Sequence, residues 1–353
     1  MADTLVLRGG TVVDASGSRR ADVAIEDGRV AAVGPDLDGG VVLDCGGCVV
    51  ASGLVDLHTH LRQPGREEAE TVETGSRAAA LGGYTAVVAM PNTEPAIDGA
   101  AVVREVLELG RAAGLCDVRV AGAITVDRAG ERLAPMAEMA ALGVRLFTDD
   151  GRGVQDARLM RRALEYATGL GVTLAQHCED EAIAAGGHMH EGAWSSRLGI
   201  PGQPAEAEEL MVQRDLALAR LSGARVHFQH LSTRGSLAMV RRARDEGLPV
   251  TAEATTHHFT LTDAVCASYD ATYKVNPPLR PDDDVAAVRA GLGDGAIDAI
   301  ATDHAPHAPH LKELPFDQAP PGMLGLETAL ALALTELDLP LAEVLALLSW
   351  RPA

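Results

Sequence analysis

The stretch LVDLHTHLRQPGREEAETVETGSRAAALGGYTAVVAMPN, residues 54–92, decides the fold. Residues 54–60 and 84–92 are apolar runs of strand length, and the Ala-rich segment between them carries helical spacing. Two strands in series around one helix make a βαβ unit, whose strands run parallel. Working outward, the same alternation recurs at 117–126, 144–151, 172–180, 224–232, 249–259 and 296–306, which brings the strand-like runs to eight. Helix-like stretches such as AAVVREVLELGRAAG and DARLMRRALEYATGLG lie between them. Eight β-then-α units in series predict a closed (β/α)8 TIM-like barrel over 54–353. An open doubly wound sheet is the competing arrangement, but no G-x-G-x-x-G follows the first strand and no P-loop occurs.

The preceding residues, 1–53, read differently. LVLRGGTVVDAS, ADVAIEDGRVAAVG and GGVVLDCGGCVVA are short strands broken at Gly or at Asp27-Gly28, a hairpin signal, so a small N-terminal all-β accessory unit is expected. The chain has 353 residues, enough for one barrel of roughly 250 residues with additions, and not for two large domains. Thirty basic against fifty acidic side chains give a formal charge of −20, which argues against nucleic acid as a partner. No apolar run reaches the roughly 18 to 20 residues of a membrane span, and MADTLVLRGGTVVD has neither a basic n-region nor an apolar h-region, so no membrane partner and a cytoplasmic location are expected. The five cysteines are an odd number spread over a long chain and predict free thiols, with Cys45-Gly-Gly-Cys48 a turn rather than half of a zinc site.

In such a barrel the chemistry gathers at the C-terminal ends of the strands, where this chain is rich in polar residues. The first run ends His58-Thr59-His60, the second Pro91-Asn92, the fourth Asp149-Asp150-Gly151, the fifth His177-Cys178-Glu179-Asp180 and the eighth Asp303-His304-Ala305-Pro306-His307, while the sixth carries His230. His58 and His60, two apart, share a face as a chelating pair requires. Four imidazoles with two carboxylates exceed one tetrahedral site and point to two divalent metals sharing a bridge. Alternation puts one of Asp149 and Asp150 inward without choosing between them. It sets His227 and His230 on opposite faces, with His230 the ligand candidate and His227 packed outward. His257 and His258, being adjacent, cannot both face inward and are expected to be hydrogen-bonded structural residues; His188 and His190 are expected in a solvated loop, and Cys178, turned away from His177, in packing. The Pro-rich, aperiodic segment 307–322 is expected to be a lid.

The runs DLHTHLRQPG (56–65), MPNT (90–93) and TDHAPH (302–307) resemble the long-chain dihydroorotases of the amidohydrolase superfamily, and the likeness continues in register through FTDDG, QHCE, HLST, KVNPP and APPG. The resemblance implies two zinc ions, one held by His58, His60 and Asp303, the other by His177 and His230, with Asp150 bridging and Asp149 hydrogen-bonding the neighbouring loop. Related hydantoinases, dihydropyrimidinases and allantoinases bridge their metals with a carboxylated lysine; this chain has only Lys274 and Lys312, neither on the fourth strand. The resemblance implies that Arg62, Asn92 and His307 hold a substrate carboxylate, that Asn276 contacts its ring, that His60 lies against it, and that Pro321 and Gly322 give backbone contacts. It implies interconversion of N-carbamoyl-L-aspartate and (S)-dihydroorotate in pyrimidine (UMP) biosynthesis, with Asp303 as general base and acid. The partners it raises are a second copy in a homodimer and aspartate transcarbamoylase. A metal-free scaffolding subunit is the alternative of another class, and all six ligand positions are filled here. Long-chain members continue into strands that return to the N-terminal unit and complete a β-sandwich; this chain stops at Trp350-Arg351-Pro352-Ala353, so half of that sandwich is expected, its C-terminal strands missing and its edges unpaired.

Overall fold

The computed structural model describes residues 4–353, and the first three residues of the N-terminal segment lie outside them. Five strands come first: β1 (Leu5–Asp14), β2 (Gly17–Glu26), β3 (Arg29–Gly34), β4 (Val41–Asp44) and β5 (Val49–Ala51). They form a sheet of order β3-β2-β1-β4, with β5 continuing alongside β1. The β2–β3 hairpin turns at Asp27-Gly28, both at positive φ (49° and 73°), the twist that suits a two-residue hairpin. Val12, Ala21 and Val23 form a small buried cluster on this sheet. Its β3 and β4 strands are exposed along nearly their whole length, Val30 by 64% and Leu43 by 54%. The Cys45–Cys48 segment is the expected turn, closed by Cys48 N–H to Cys45 O at 2.9 Å, and all five cysteines are free.

The barrel follows. Its strands are β6 (Leu54–Thr59), β7 (Tyr84–Ala89), β8 (Asp117–Val120), β9 (Leu146–Phe147) and β10 (Thr173–Gln176), then, after a small parallel pair β11 (Met189–His190) and β12 (Gly202–Gln203), β13 (Val226–Phe228), β14 (Val250–Thr255) and β15 (Ala299–Ala301). The eight barrel strands pair in parallel as β6-β7-β8 and β9-β10-β13-β14-β15. Single parallel bridges, Gly122 to Phe147 and Thr59 to His304, join the two groups and close the ring.

The helices pack outside. Ala157–Leu170 buries Met160, Ala163, Leu164 and Ala167, one stripe at helical spacing. Asp156 caps it by accepting from Leu159 N–H, and Gly171 ends it at φ 68°, where glycine costs least. Val87, Leu174 and Phe228 on the outer strand faces complete that core. No helix among the described residues is long and apolar enough to cross a membrane.

Several strands are shorter than the apolar runs suggest and stop before their polar tails. Thr148–Gly151, His177–Asp180 and Gln229–Ser232 lie beyond the ladders, and Thr302–Pro306 follows β15 with only His304 bridged to its neighbours, so these tails turn across the barrel mouth. At the opposite end the interior opens into a cavity of about 620 Å³, lined among others by Val55, Ala86, Thr173, His227 and Thr251.

Candidate metal centre

His58, at the end of β6, and His60, just past it, are buried at the mouth. Their Nε2 atoms lie 3.3 and 3.5 Å from the two oxygens of Asp150, and 3.5 and 2.9 Å from Oδ1 of Asp303. On the other side of Asp150, its Oδ1 lies 3.6 Å from His177 Nδ1 and 3.5 Å from His230 Nε2. Two three-residue groups therefore meet at one carboxylate: His58, His60 and Asp150, and Asp150, His177 and His230. Burial by itself would raise the Asp150 carboxyl, but the imidazoles around it, His58 first and then His177 and His230, hold it well below the usual carboxylate range.

The donor set fits divalent metal. Nitrogen and carboxylate ligands in two adjoining groups suit zinc-like ions sharing a bridge. His58 Nε2 and Asp150 Oδ1 are buried and have no hydrogen-bond partner, although buried polar atoms are normally satisfied. Both belong to the group of His58, His60 and Asp150, where a metal would meet them.

Backbone geometry explains how these side chains converge. Arg62, His230 and Asp303 all have positive φ (60°, 33° and 47°), a costly state for residues with a Cβ and one that collects at functional sites. His230 lies two residues beyond β13, so strand alternation no longer governs it. The expectation that His227 packs outward is corrected for that reason: both histidines face the interior, and His227 is 5% exposed, with Nδ1 2.8 Å from Thr251 Oγ1. His257 and His258 are likewise not strand residues but lie in the short helix Thr256–Thr260, and both are buried. His258 is held by Thr255 Oγ1 at 2.6 Å and Pro277 O at 3.0 Å, whereas His257 Nε2 has no partner. His188 and His190 are not simply solvated: they are half-buried, at 3.3 Å from Lys274 Nζ and 3.0 Å from Arg280 Nη1. Asp149 accepts from Ile124 N–H, Thr125 N–H and the Thr125 hydroxyl, fixing the loop after β8. Cys178 is buried, and burial pushes its thiol up, so it is a packing residue.

Around the cluster sit the residues expected to meet substrate. Arg62 is buried and donates from Nε to Pro306 O at 3.0 Å; burial pulls it down to about 10, so it stays charged at neutral pH. Asn92 Oδ1 lies 2.8 Å from His60 Nδ1, so it orients that ring as well as facing the mouth. Asn276 Nδ2 lies 3.4 Å from His177 Nε2. Burial and then the charge of Arg62 push His307 down to about 4, which leaves it neutral, and its Nε2–H donates to Pro321 O at 2.8 Å.

Residues 307–322 are docked rather than loose. Lys312 Nζ donates to Pro320 O and Gly322 O, both at 3.0 Å, and Phe316 is buried against Met189, Ile200 and Cys266. The other lysine, Lys274, donates to Asp317 O at 3.2 Å. Neither lysine amine is near Asp150; both tie down this segment.

Sequence reasoning passed over three further buried groups. Glu253 touches His58, Gln229 takes the Thr148 hydroxyl at 2.7 Å, and His304 Nε2 meets Glu70 at 2.7 Å. The signal for Glu253 was legible: a charged residue in the middle of VTAEAT, in phase with Thr251 and Thr255.

Comparison with known proteins agrees with this geometry. A family model described as dihydro-orotase-like matches residues 47–236. A dihydroorotase of Mycobacterium bovis is 52% identical over 337 residues, covering 94% of this chain and 77% of that protein. A dihydroorotase of Pelotomaculum thermopropionicum is 52% identical over 337 residues, covering 94% and 79%. Among solved structures, an L-hydantoinase (dihydropyrimidinase) from Arthrobacter aurescens superposes with a TM-score of 0.87 at 24% identity, over 100% of this chain and 82% of that one, a likeness of fold. With half or more of the residues identical to these relatives across nearly its whole length, the chain belongs to the dihydroorotase family of cyclic amidohydrolases.

Proposed function

We propose that the protein is a zinc-dependent dihydroorotase that interconverts N-carbamoyl-L-aspartate and (S)-dihydroorotate in de novo pyrimidine biosynthesis. The observation that carries this reading is a buried guanidinium, Arg62, beside two histidine–carboxylate groups that share Asp150 and not a lysine. Six residues would hold two zinc ions: His58, His60 and Asp303 one, His177 and His230 the other, with Asp150 between them. Bound there, the ions supply Lewis acidity, making a water acidic near neutral pH and polarising an amide carbonyl.

The chain's own residues do the rest. Arg62 offers a fork suited to a planar carboxylate, and a carboxylated ring gains from it what an uncarboxylated dihydropyrimidine or hydantoin cannot. Asn92 donates from its amide to that carboxylate, neutral His307 turns its one N–H from Pro321 O to it when substrate binds, and Asn276 and the Pro321–Gly322 backbone hold the ring. Asp303 accepts the proton of the attacking water as the C–O bond forms and delivers it to the ring nitrogen as the C–N bond breaks; cyclisation reverses these steps.

Assaying dihydroorotate, hydantoin, allantoin and dihydrouracil with the purified protein tests the reading. Dihydroorotate is expected to be the preferred ring. Arg62→Ala should raise its KM by about 10- to 100-fold, as loss of a charged hydrogen-bonding partner does, and leave the uncarboxylated rings unaffected. Equal turnover of all four rings by wild-type protein would overturn the assignment.

A further inference from the structure

Glu253 has no part in the mechanism above, yet it is 1% exposed in the middle of β14, a strand that supplies none of the six candidate ligands. Its Oε1 lies 2.8 Å from His58 Nδ1 and its Oε2 3.1 Å from His227 Nε2. His227 Nδ1 in turn lies 2.8 Å from Thr251 Oγ1, and both residues line the cavity at the end of the barrel opposite the mouth. Each Glu253 oxygen thus faces one imidazole nitrogen, the arrangement of a carboxylate held between two ring donors. An ionised carboxylate only accepts. His58 Nδ1 and His227 Nε2 must then both donate, and the remaining His227 nitrogen accepts from the Thr251 hydroxyl.

This order has a consequence at the other edge of the His58 ring. With the proton fixed on Nδ1, Nε2 carries a free lone pair, and Nε2 is the buried atom without a partner, 3.3 Å from Asp150. One group competes: Gln229 Nε2 lies 3.3 Å from His58 Nδ1, and an amide donor there would favour the opposite tautomer. The carboxylate is nearer and charged, and a charge-assisted hydrogen bond is roughly twice as strong as a neutral one. Glu253 therefore sets the tautomer.

We propose that Glu253, braced by His227 and Thr251, is a positioning residue of the metal centre: it fixes the tautomer and ring plane of His58 so that Nε2 is presented to the metal. The proposal rests on the reading of this site as a metal centre. Partners of this kind typically contribute 10- to 100-fold in metal affinity. The brace crosses the barrel interior, so a residue lining the cavity at one end is coupled to the site at the other.

The experiment is a Zn2+ titration of metal-stripped full-length protein against a chromophoric chelator, for wild type, Glu253→Gln, Glu253→Leu and His227→Leu. The Gln variant keeps the shape and removes the charge, which protects the test against misfolding; metal-free unfolding temperature is measured alongside. Wild type is expected to bind two equivalents tightly. In the Glu253 variants one equivalent should weaken by about 10- to 100-fold while the other is unchanged, with Gln milder than Leu and His227→Leu following in the same direction. Wild-type affinity for both equivalents in both Glu253 variants would overturn the proposal. So would equal weakening of both equivalents together with a lower metal-free unfolding temperature in Glu253→Gln, since that is what a merely structural role gives. Failure of wild type to bind Zn2+ at all would instead remove the metal reading on which the proposal stands.

Discussion

In the proposed reaction Asp303 and Arg62 divide the chemistry between them. Asp303 Oδ1 lies 2.9 Å from His60 Nε2, at the centre of the cluster, and a carboxylate there can both ligate and shuttle a proton. Asp303→Asn keeps a ligating oxygen and removes the base, so kcat should fall by about 100- to 10,000-fold, the usual worth of a positioned acid–base group. Bound metal should change little. Single-turnover kinetics with metal analysis on the same sample checks both, and full activity in the variant would refute the assignment. Residue identities of this kind were legible because each lies at the end of an apolar run. Side-chain direction was legible only where the strand persisted: His227 and His230 defeated the two-residue period because β13 ends at Phe228 and His230 takes φ 33°.

At the scale of elements, the segment after β15 depends on one glycine and one lysine. Gly322 has φ 149°, and a Cβ there would lie 2.5 Å from Ala305 O and 2.8 Å from His307 Nε2. Gly322→Ala is expected to displace His307 and cost about 1–3 kcal/mol of local strain, with a raised KM and a lowered kcat for dihydroorotate. Unchanged values of both would remove this segment from the site. Lys312 tests the docking independently. Burial, then the charge of Lys274, lowers it from 10.5 to about 8. A cation with a depressed folded pKa binds its proton more weakly folded than unfolded, so its contribution to stability is complete above pH 10.5 and is lost as pH falls through about 8. Thermal unfolding of wild type relative to Lys312→Met should therefore gain with pH across that window, and parallel curves for the two proteins would show that the ammonium is not held as described. None of this docking was legible in a Pro-rich stretch without a period, because it depends on carbonyls that the fold brings to Lys312 from Lys274, Pro320 and Gly322.

For the whole molecule, the metal centre and the fold should be linked. The six candidate ligands come from β6 and the residue after it, from the loops after β9, β10 and β13, and from the loop after β15, so ions held there would cross-link distant parts of the barrel. Stripping with a chelator is expected to abolish activity and lower the unfolding temperature, and two equivalents of Zn2+ should restore both, since anything that binds only the folded state stabilises it. Activity that survives complete stripping would support metal-independent chemistry. The N-terminal sheet supplies none of the candidate ligands; its β3 and β4 strands present Val30, Val41, Val42 and Leu43 to solvent. By itself the sequence determined the order of strands and helices, the closed parallel topology and the residues available for chemistry, because hydrophobic period and residue type are local properties. Only the tertiary structure decided which histidines face the interior, that Asp149 holds a loop while Asp150 lies between the two groups, and that Glu253 reaches His58 across 195 positions of chain. Those outcomes depend on where each strand stops and how the backbone turns beyond it, and that is set by ring closure rather than by any single segment.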